Sequence, residues 1–154
     1  MPATLPPTAQ ELDELLCFDL YAAQRAVTAA YRPVLGPLGL TYPQYLVLVV
    51  LWGRGECAVR DVAAALRLDH GTLTPLLRRM ETAGLITRTR GADDERTVLL
   101  RLTPAGDALR VHRDDVQCRI ADAVGLHERD FVTLQRLLRR VTDATHAALE
   151  DDDL

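Results

Sequence analysis

The sequence predicts a mainly α-helical fold carrying one small β-hairpin, and three observations predict it. Apolar residues recur at helical spacing over most of the 154 residues. Only two short stretches read as strands, 85–90 and 97–102, with Gly91, Ala92, Asp93 and Asp94 as the turn between them. Aromatic residues make up 5% of the chain, which favours helix packing over a large sheet.

The elements follow in order. Residues 1–7 are rich in proline. Thr8 and Glu11 have the spacing of a capping box, opening a helix with Leu12, Leu15, Leu16, Leu20, Ala23 and Val27 on one side. Pro33 bounds that helix near Tyr31 and Arg32. Gly36, Pro37 and Gly39 make a loop. Thr41 and Gln44 form a second capping box, and the helix they start is apolar nearly all round as far as Trp52, which marks it as central and buried. Gly53 and Gly55 break it. A short helix spans Val59–Leu66, and Leu68 and Asp69 turn tightly into a helix over 71–83. Asp69 is a good N-cap there, Gly84 sits where a C-terminal glycine belongs, and Leu73, Leu76, Leu77 and Met80 make one face apolar. After the hairpin, Thr103 and Pro104 restart the chain as N-cap and first-turn proline. One long helix runs from there to Val124, where Gly125 ends it. A last helix covers about 128–149, before an acidic tail at 150–153. No repeat or linker interrupts the sequence, which reads as a single domain, 1–154.

Two short helices joined this closely form a helix-turn-helix, and a hairpin behind them is a wing. Residues 41–103 then compose a unit that reads duplex DNA. The 71–83 helix enters the groove, with Arg78 on it and with Arg88, Arg90 and Arg96 on the hairpin beside it. The helices over 8–35 and 104–149 lie outside that unit, and their apolar faces need a partner. A second copy of the chain is the simplest one, giving a homodimer whose reading helices stand roughly 34–36 Å apart on a palindromic operator. The net charge is −4, but the basic residues are concentrated: 54–101 holds nine arginines against seven acids, and 102–154 holds seven against eleven. There is no lysine, so every fixed cation is a guanidinium suited to phosphate. No apolar run is long enough for a membrane span and no signal-like segment leads the chain, so a cytoplasmic location without a membrane partner is expected.

Three cysteines are not the framework of a secreted disulfide protein. Cys17 stands near the start of the first helix, where the partial positive charge favours a thiolate. Tyr21 follows four residues on, on the same face. Tyr31 is fourteen residues on, roughly 21 Å along a straight helix. It cannot meet its own Cys17 unless the helix bends sharply; a partner chain packed antiparallel could bring it there, where phenol hydroxyls would stabilise the anion. Cys57 reads as packing. His112, His127 and His146 show no ligand spacing with a cysteine, and neither a metal nor a cofactor is expected.

Through LCFDLYAAQRAVTAAYRPVLGPLGLTYPQYLVLVVLW and LDHGTLTPLLRRMETAGLITRTRGADDERTVLLRLTPAG the chain resembles the MarR-type winged-helix repressors, and within them the organic-hydroperoxide sensors. Cys17, Tyr21, Tyr31 and the Asp94-Glu95-Arg96 triplet fall in that family's register, and the resemblance covers roughly residues 10–110. It implies that Cys17 is the peroxide-reactive thiol, hydrogen-bonded by Tyr21 and by Tyr31 of the other subunit. It implies that Arg96 enters the minor groove and that Thr72 and Thr74 face DNA. It also implies that Cys118 stands about where a resolving thiol would be in the two-cysteine members. His70 departs from the family's usual serine, and an imidazole there can still meet phosphate or base. The acidic stretch Asp93, Asp94 and Glu95 is expected to orient the Arg96 side chain through an ion pair.

The resulting expectation is a repressor rather than an enzyme, released from DNA when an organic hydroperoxide oxidises Cys17. Two other readings compete. One is a MarR-type repressor that responds to a small phenolic or lipophilic ligand near Cys17. The other is a thiol peroxidase, which leaves the wing and its arginines unexplained.

Overall fold

Helix α1 (Leu16–Leu35) begins directly after a break in the chain. Leu15 adopts extended backbone, φ −97° and ψ 110°, with no side-chain cap. The single uninterrupted helix expected from 8 onward is therefore divided at Leu15, and a fresh N-terminus falls one residue before Cys17. This computed structural model describes residues 12–152 except Asp93 and Glu95, so the expected Thr8–Glu11 capping box lies outside the described residues, as does Asp153. Pro33 does not end α1 but lies inside its last turn. A proline near a helix end costs only the bond to residue 29, and Leu35, 1% exposed, anchors the final turn in the core.

The Thr41/Gln44 capping box forms: the Thr41 N–H donates to Gln44 Oε1 at 2.9 Å, opening α2 (Tyr42–Arg54). Val47, Leu48 and Leu51 on α2 are fully buried. The helix passes through Gly53 and stops at Gly55, which takes φ 73°. Next come a two-residue strand β1 (Cys57–Ala58), which the sequence does not announce, and α3 (Val59–Leu66). The turn to α4 (His70–Thr82) uses Arg67 at φ 54°. Asp69 caps α4, accepting from the Thr72 N–H at 2.8 Å, and Leu73, Leu76, Leu77 and Met80 bury the expected face. Strands β2 (Ile86–Arg90) and β3 (Val98–Leu102) follow. The sheet has three antiparallel strands in the order β1-β3-β2, with Arg88 opposite Leu100 and Arg90 opposite Val98.

Thr103 caps α5 (Pro104–Ala108), accepting from the Gly106 N–H. The long helix expected over 104–124 is broken. A 3-10 turn at Leu109–His112 separates α5 from α6 (Arg113–Val124). The Gly106 carbonyl, the α-helical acceptor for Arg110, accepts from the Trp52 indole at 3.1 Å, and the chain tightens there. Gly125 ends α6 at φ 67°, as expected. Helix α7 (Glu128–Asp152) runs three residues beyond the expected end.

The described residues fall into two compact units divided after Ile120. The first holds α1 to α5, the sheet and most of α6. In the second, α7 carries Leu134, Leu137, Leu138 and Val141 at helical spacing, all exposed. No single helix among the described residues is long and apolar enough to cross a membrane.

Gly106 is buried where a Cβ would collide with the Leu85 carbonyl oxygen. Gly106→Ala is therefore expected to lower the unfolding free energy by about 2–3 kcal/mol, read as a shifted denaturant midpoint at unchanged slope. A wild-type midpoint would show that α5 can shift without cost.

Candidate functional site

Helix α4 offers one buried and one exposed face, and the exposed face carries the groove candidates. His70 is its first residue and Arg78 lies two turns on, both exposed. The Thr72 hydroxyl donates to Asp69 Oδ2 at 2.9 Å and the Thr74 hydroxyl donates to the His70 carbonyl at 2.7 Å. Both hydroxyl protons are thus engaged inside the helix. What each threonine can offer a base is a methyl group and an acceptor oxygen. The Thr72 N–H, as the largest cause, and then the Thr72 hydroxyl and further backbone N–H groups hold the Asp69 carboxyl below the usual carboxylate range.

The wing completes this face. Arg60, His70, Thr74, Arg88, Asp94 and Arg96 line one concavity of about 470 Å³. Arg60 on α3 is a member that sequence reasoning missed. Its only signal is an exposed arginine in the first turn of the helix that leads into the tight turn; it is held loosely to Asp61 at 3.9 Å. Asp94 does not orient Arg96 as expected. Its Oδ1 accepts from the Arg96 backbone N–H at 3.0 Å and its Oδ2 from the Thr97 hydroxyl at 3.1 Å, so it shapes the turn rather than pairing with the guanidinium. Arg90 and Arg96 are exposed. Arg88 is not: its Nε and Nη2 both reach Glu81 Oε2 at 2.8 Å, and 30% of its side chain is accessible.

The thiol candidates lie elsewhere. Cys17 is exposed in the first turn of α1, and Cys118 is exposed on α6. Tyr21, one turn from Cys17, is 54% exposed, and its hydroxyl accepts from Arg25 Nη1 at 2.8 Å, leaving its own proton free to donate. Tyr31 is buried. Because α1 is unbroken from Leu16 to Leu35, the two ends of the pattern stay roughly 21 Å apart within one chain. Tyr31 stacks against Tyr42, centroids 4.4 Å apart, and both line an apolar cleft of about 380 Å³ with Arg32, Leu35 and Leu40. Tyr42, at the start of α2, is the second residue missed. Nothing in its spacing links it to Cys17, and only the fold sets it on Tyr31.

Burial, with Tyr42 and Tyr45 beside it, pushes the Tyr31 phenol up from 10.0 to about 12. Burial also raises Tyr42. At neutral pH both are hydrogen-bond donors. The folded chain holds the Tyr31 proton more tightly than the unfolded one. Its contribution to stability is therefore complete below pH 10 and is lost as pH rises towards 12. With no lysine to titrate in that window, Tyr31→Phe should visibly flatten the alkaline fall of the unfolding midpoint. An unchanged alkaline limb would mean that Tyr31 ionises like an exposed phenol.

The comparisons with known proteins agree with this geometry. The family model described as "Transcriptional regulator SarA/Rot" matches residues 29–110. The chain is 41% identical over 136 residues to the organic hydroperoxide resistance transcriptional regulator of Bacillus subtilis, covering 88% of this chain and 92% of that one. The chain belongs to the MarR-type winged-helix transcriptional regulators. It is a DNA-binding regulator of transcription on that ground. Among solved structures, reduced AbfR bound to DNA has a TM-score of 0.75 at 27% identity, over 91% of this chain and 96% of that one. BpsR of Bordetella bronchiseptica, whose DNA binding is regulated by 6-hydroxynicotinic acid, has a TM-score of 0.78 at 27% identity, over 90% and 99%.

Proposed function

We propose that this regulator is a homodimeric repressor in the cytoplasm, which holds a palindromic operator while Cys17 is reduced and lets go when an organic hydroperoxide oxidises it. One observation carries the reading. An exposed cysteine stands in the uncapped first turn of α1, and a buried phenol on the same helix is too distant to serve it within one chain. A second chain packed antiparallel brings Tyr31, with Tyr42 stacked on it, to the thiolate. The exposed apolar residues Leu15 and Leu16 on one unit, and the α7 stripe on the other, supply surface for that pairing. The similarity to the Bacillus subtilis regulator and to AbfR, solved both reduced on DNA and in a disulfide form, supports the redox reading.

The chemistry balances without a cofactor. The Cys17 thiolate attacks the distal peroxide oxygen, the O–O bond breaks, and the alkoxide takes a proton and leaves as an alcohol. Sulfur becomes a sulfenic acid. In a two-cysteine route the thiol of Cys118 of the partner subunit then forms the S–S bond, and the sulfenic oxygen leaves as water. Closing that bond needs the two Cα atoms within about 7 Å, so it would draw α1 and the partner's α6 together and change the spacing of the reading heads. Thr72, Thr74, His70 and Arg78 would read bases, and Arg90 and Arg96 would meet phosphate or the minor groove.

A second reading keeps the DNA head and changes the signal. The 380 Å³ apolar cleft beside Tyr31 and Tyr42 suits a small phenolic or lipophilic molecule, and BpsR responds to an aromatic acid. The two readings part at one residue. Cys17→Ser should keep wild-type operator affinity and lose release by an organic hydroperoxide, measured by fluorescence anisotropy of the duplex. Release that persists in this variant excludes Cys17 as the sensor. In the two-cysteine route the oxidised wild type should run as a dithiothreitol-sensitive dimer on a non-reducing gel, absent in Cys118→Ser. A monomer band with intact release would leave Cys118 out of the redox chemistry.

Arg96→Ala tests the wing. It is expected to weaken operator binding about tenfold and to lower the slope of log affinity against log salt by about one. Unchanged affinity and slope would mean that the hairpin does not touch DNA.

A further inference from the structure

Arg88 is grouped by the sequence with Arg90 and Arg96, yet its surroundings differ from theirs. We infer that Arg88 is a positioning residue, whose ion pair with Glu81 sets the wing on the reading helix so that Arg96 reaches DNA. The inference rests on the DNA-binding reading of the hairpin.

The argument begins with strand alternation. Ile86, Arg88 and Arg90 share one face of β2. Ile86, 1% exposed, enters the core; Arg90 at the outer end is open to solvent; Arg88 between them is half-buried opposite the fully buried Leu100. That placement aims Arg88 at α4. Two of its N–H donors converge on a single Glu81 oxygen at 2.8 Å each, so the guanidinium is oriented and not simply nearby. Glu81 is the last residue but one of α4, where the helix dipole disfavours an anion. A carboxylate in that position gains from a cation supplied from outside the helix, and Arg88 supplies it. By contrast, no hydrogen bond or ion pair ties the Arg78, Arg90 or Arg96 guanidinium to a described side chain. The turn between α4 and β2 is short, and its tip-side counterpart is set by Asp94 on the backbone of Arg96. The Glu81–Arg88 pair thus ties the reading helix to the wing strand through an ion pair among the described residues, and Arg96 is carried by the hairpin it steadies.

The test turns on a sign. A carboxylate near a polyanion ordinarily weakens binding, so removing one should strengthen it. If Arg88 were itself a phosphate contact, Glu81→Gln would free it and raise affinity, or leave it alone. As a positioning pair, Glu81→Gln should lower affinity about fivefold despite losing a negative charge. The duplex is one recovered with wild-type protein from a random-sequence pool. The loss should vanish in an Arg96→Ala background, because the wing then has nothing to deliver. The charge-swapped Glu81→Arg/Arg88→Glu protein should return to within about twofold of wild type. Circular dichroism and the unfolding midpoint verify that each variant is folded. Affinity at or above wild type for Glu81→Gln, a loss that simply adds to that of Arg96→Ala, or no rescue by the swap, overturns the inference. If Arg96→Ala binds like wild type, the wing reading itself fails and takes this inference with it. A weakened Arg96→Ala beside a silent Glu81→Gln overturns only the positioning role.

Discussion

The close approach of Gly106 to the Leu85 backbone ties the reading head to α5. Leu85 comes directly after the glycine that ends the α4 turn, and its N–H returns to the Met80 carbonyl at 3.0 Å. Its carbonyl accepts from the Thr103 N–H at 3.1 Å. The Thr103 hydroxyl donates to the Gly84 carbonyl at 2.6 Å and accepts from the Gly106 N–H at 3.1 Å. The Trp52 indole then closes on the Gly106 carbonyl. The end of α4, the base of the wing, the start of α5 and the core helix α2 thus share one hydrogen-bonded junction. Each bond contributes only about 1 kcal/mol net, but an unpaired buried donor such as the indole costs more, so the junction holds or fails together. The start of α5 and the end of the reading helix are thus joined through Thr103, Gly84 and Leu85 with no intervening element.

The same economy governs the DNA face. Its side chains are arranged by short-range bonds within the head before any nucleic acid arrives. Asp69 serves as N-cap and also fixes the Thr72 hydroxyl; Asp94 builds the wing turn. Arg88 is restrained by Glu81 and Arg101 by Glu56, whereas Arg78, Arg90 and Arg96 face solvent. Pre-arranged groups lose less freedom on docking, so the ordering cost at a DNA interface falls mainly on the solvent-exposed arginines.

Most of the head was legible because its signals are local. Caps at Thr41, Asp69 and Thr103, the glycines at 84 and 125, and the apolar spacing of α4 each act within a turn of chain, and α3 falls at Val59–Leu66 as expected. What escaped is what depends on distant partners. A two-residue strand has no period, and β1 exists only because β3 lies beside it. Pro33 and the 109–112 break answer to buried contacts made elsewhere in the fold. Glu81 and Arg88 lie on different elements, a helix and a strand joined by a turn, so neither element's period relates them. Of the thiol pattern, the sequence alone separates Cys17 and Tyr31 along a straight helix, whereas the unbroken course of α1 and the Tyr31–Tyr42 stack need the fold.

That separation has a consequence for how the protein would behave in a cell. Each chain carries both halves of the proposed thiol environment, at opposite ends of one rigid rod, and cannot close the circuit by itself. On the proposed reading, chemical sensitivity is therefore a property of the pair. A newly made or diluted chain would keep the helix terminus and Tyr21 beside its thiol but lack the partner's phenol, and would gain its full alertness only on meeting its twin. Copy number would then set the threshold of the alarm as well as the occupancy of the operator.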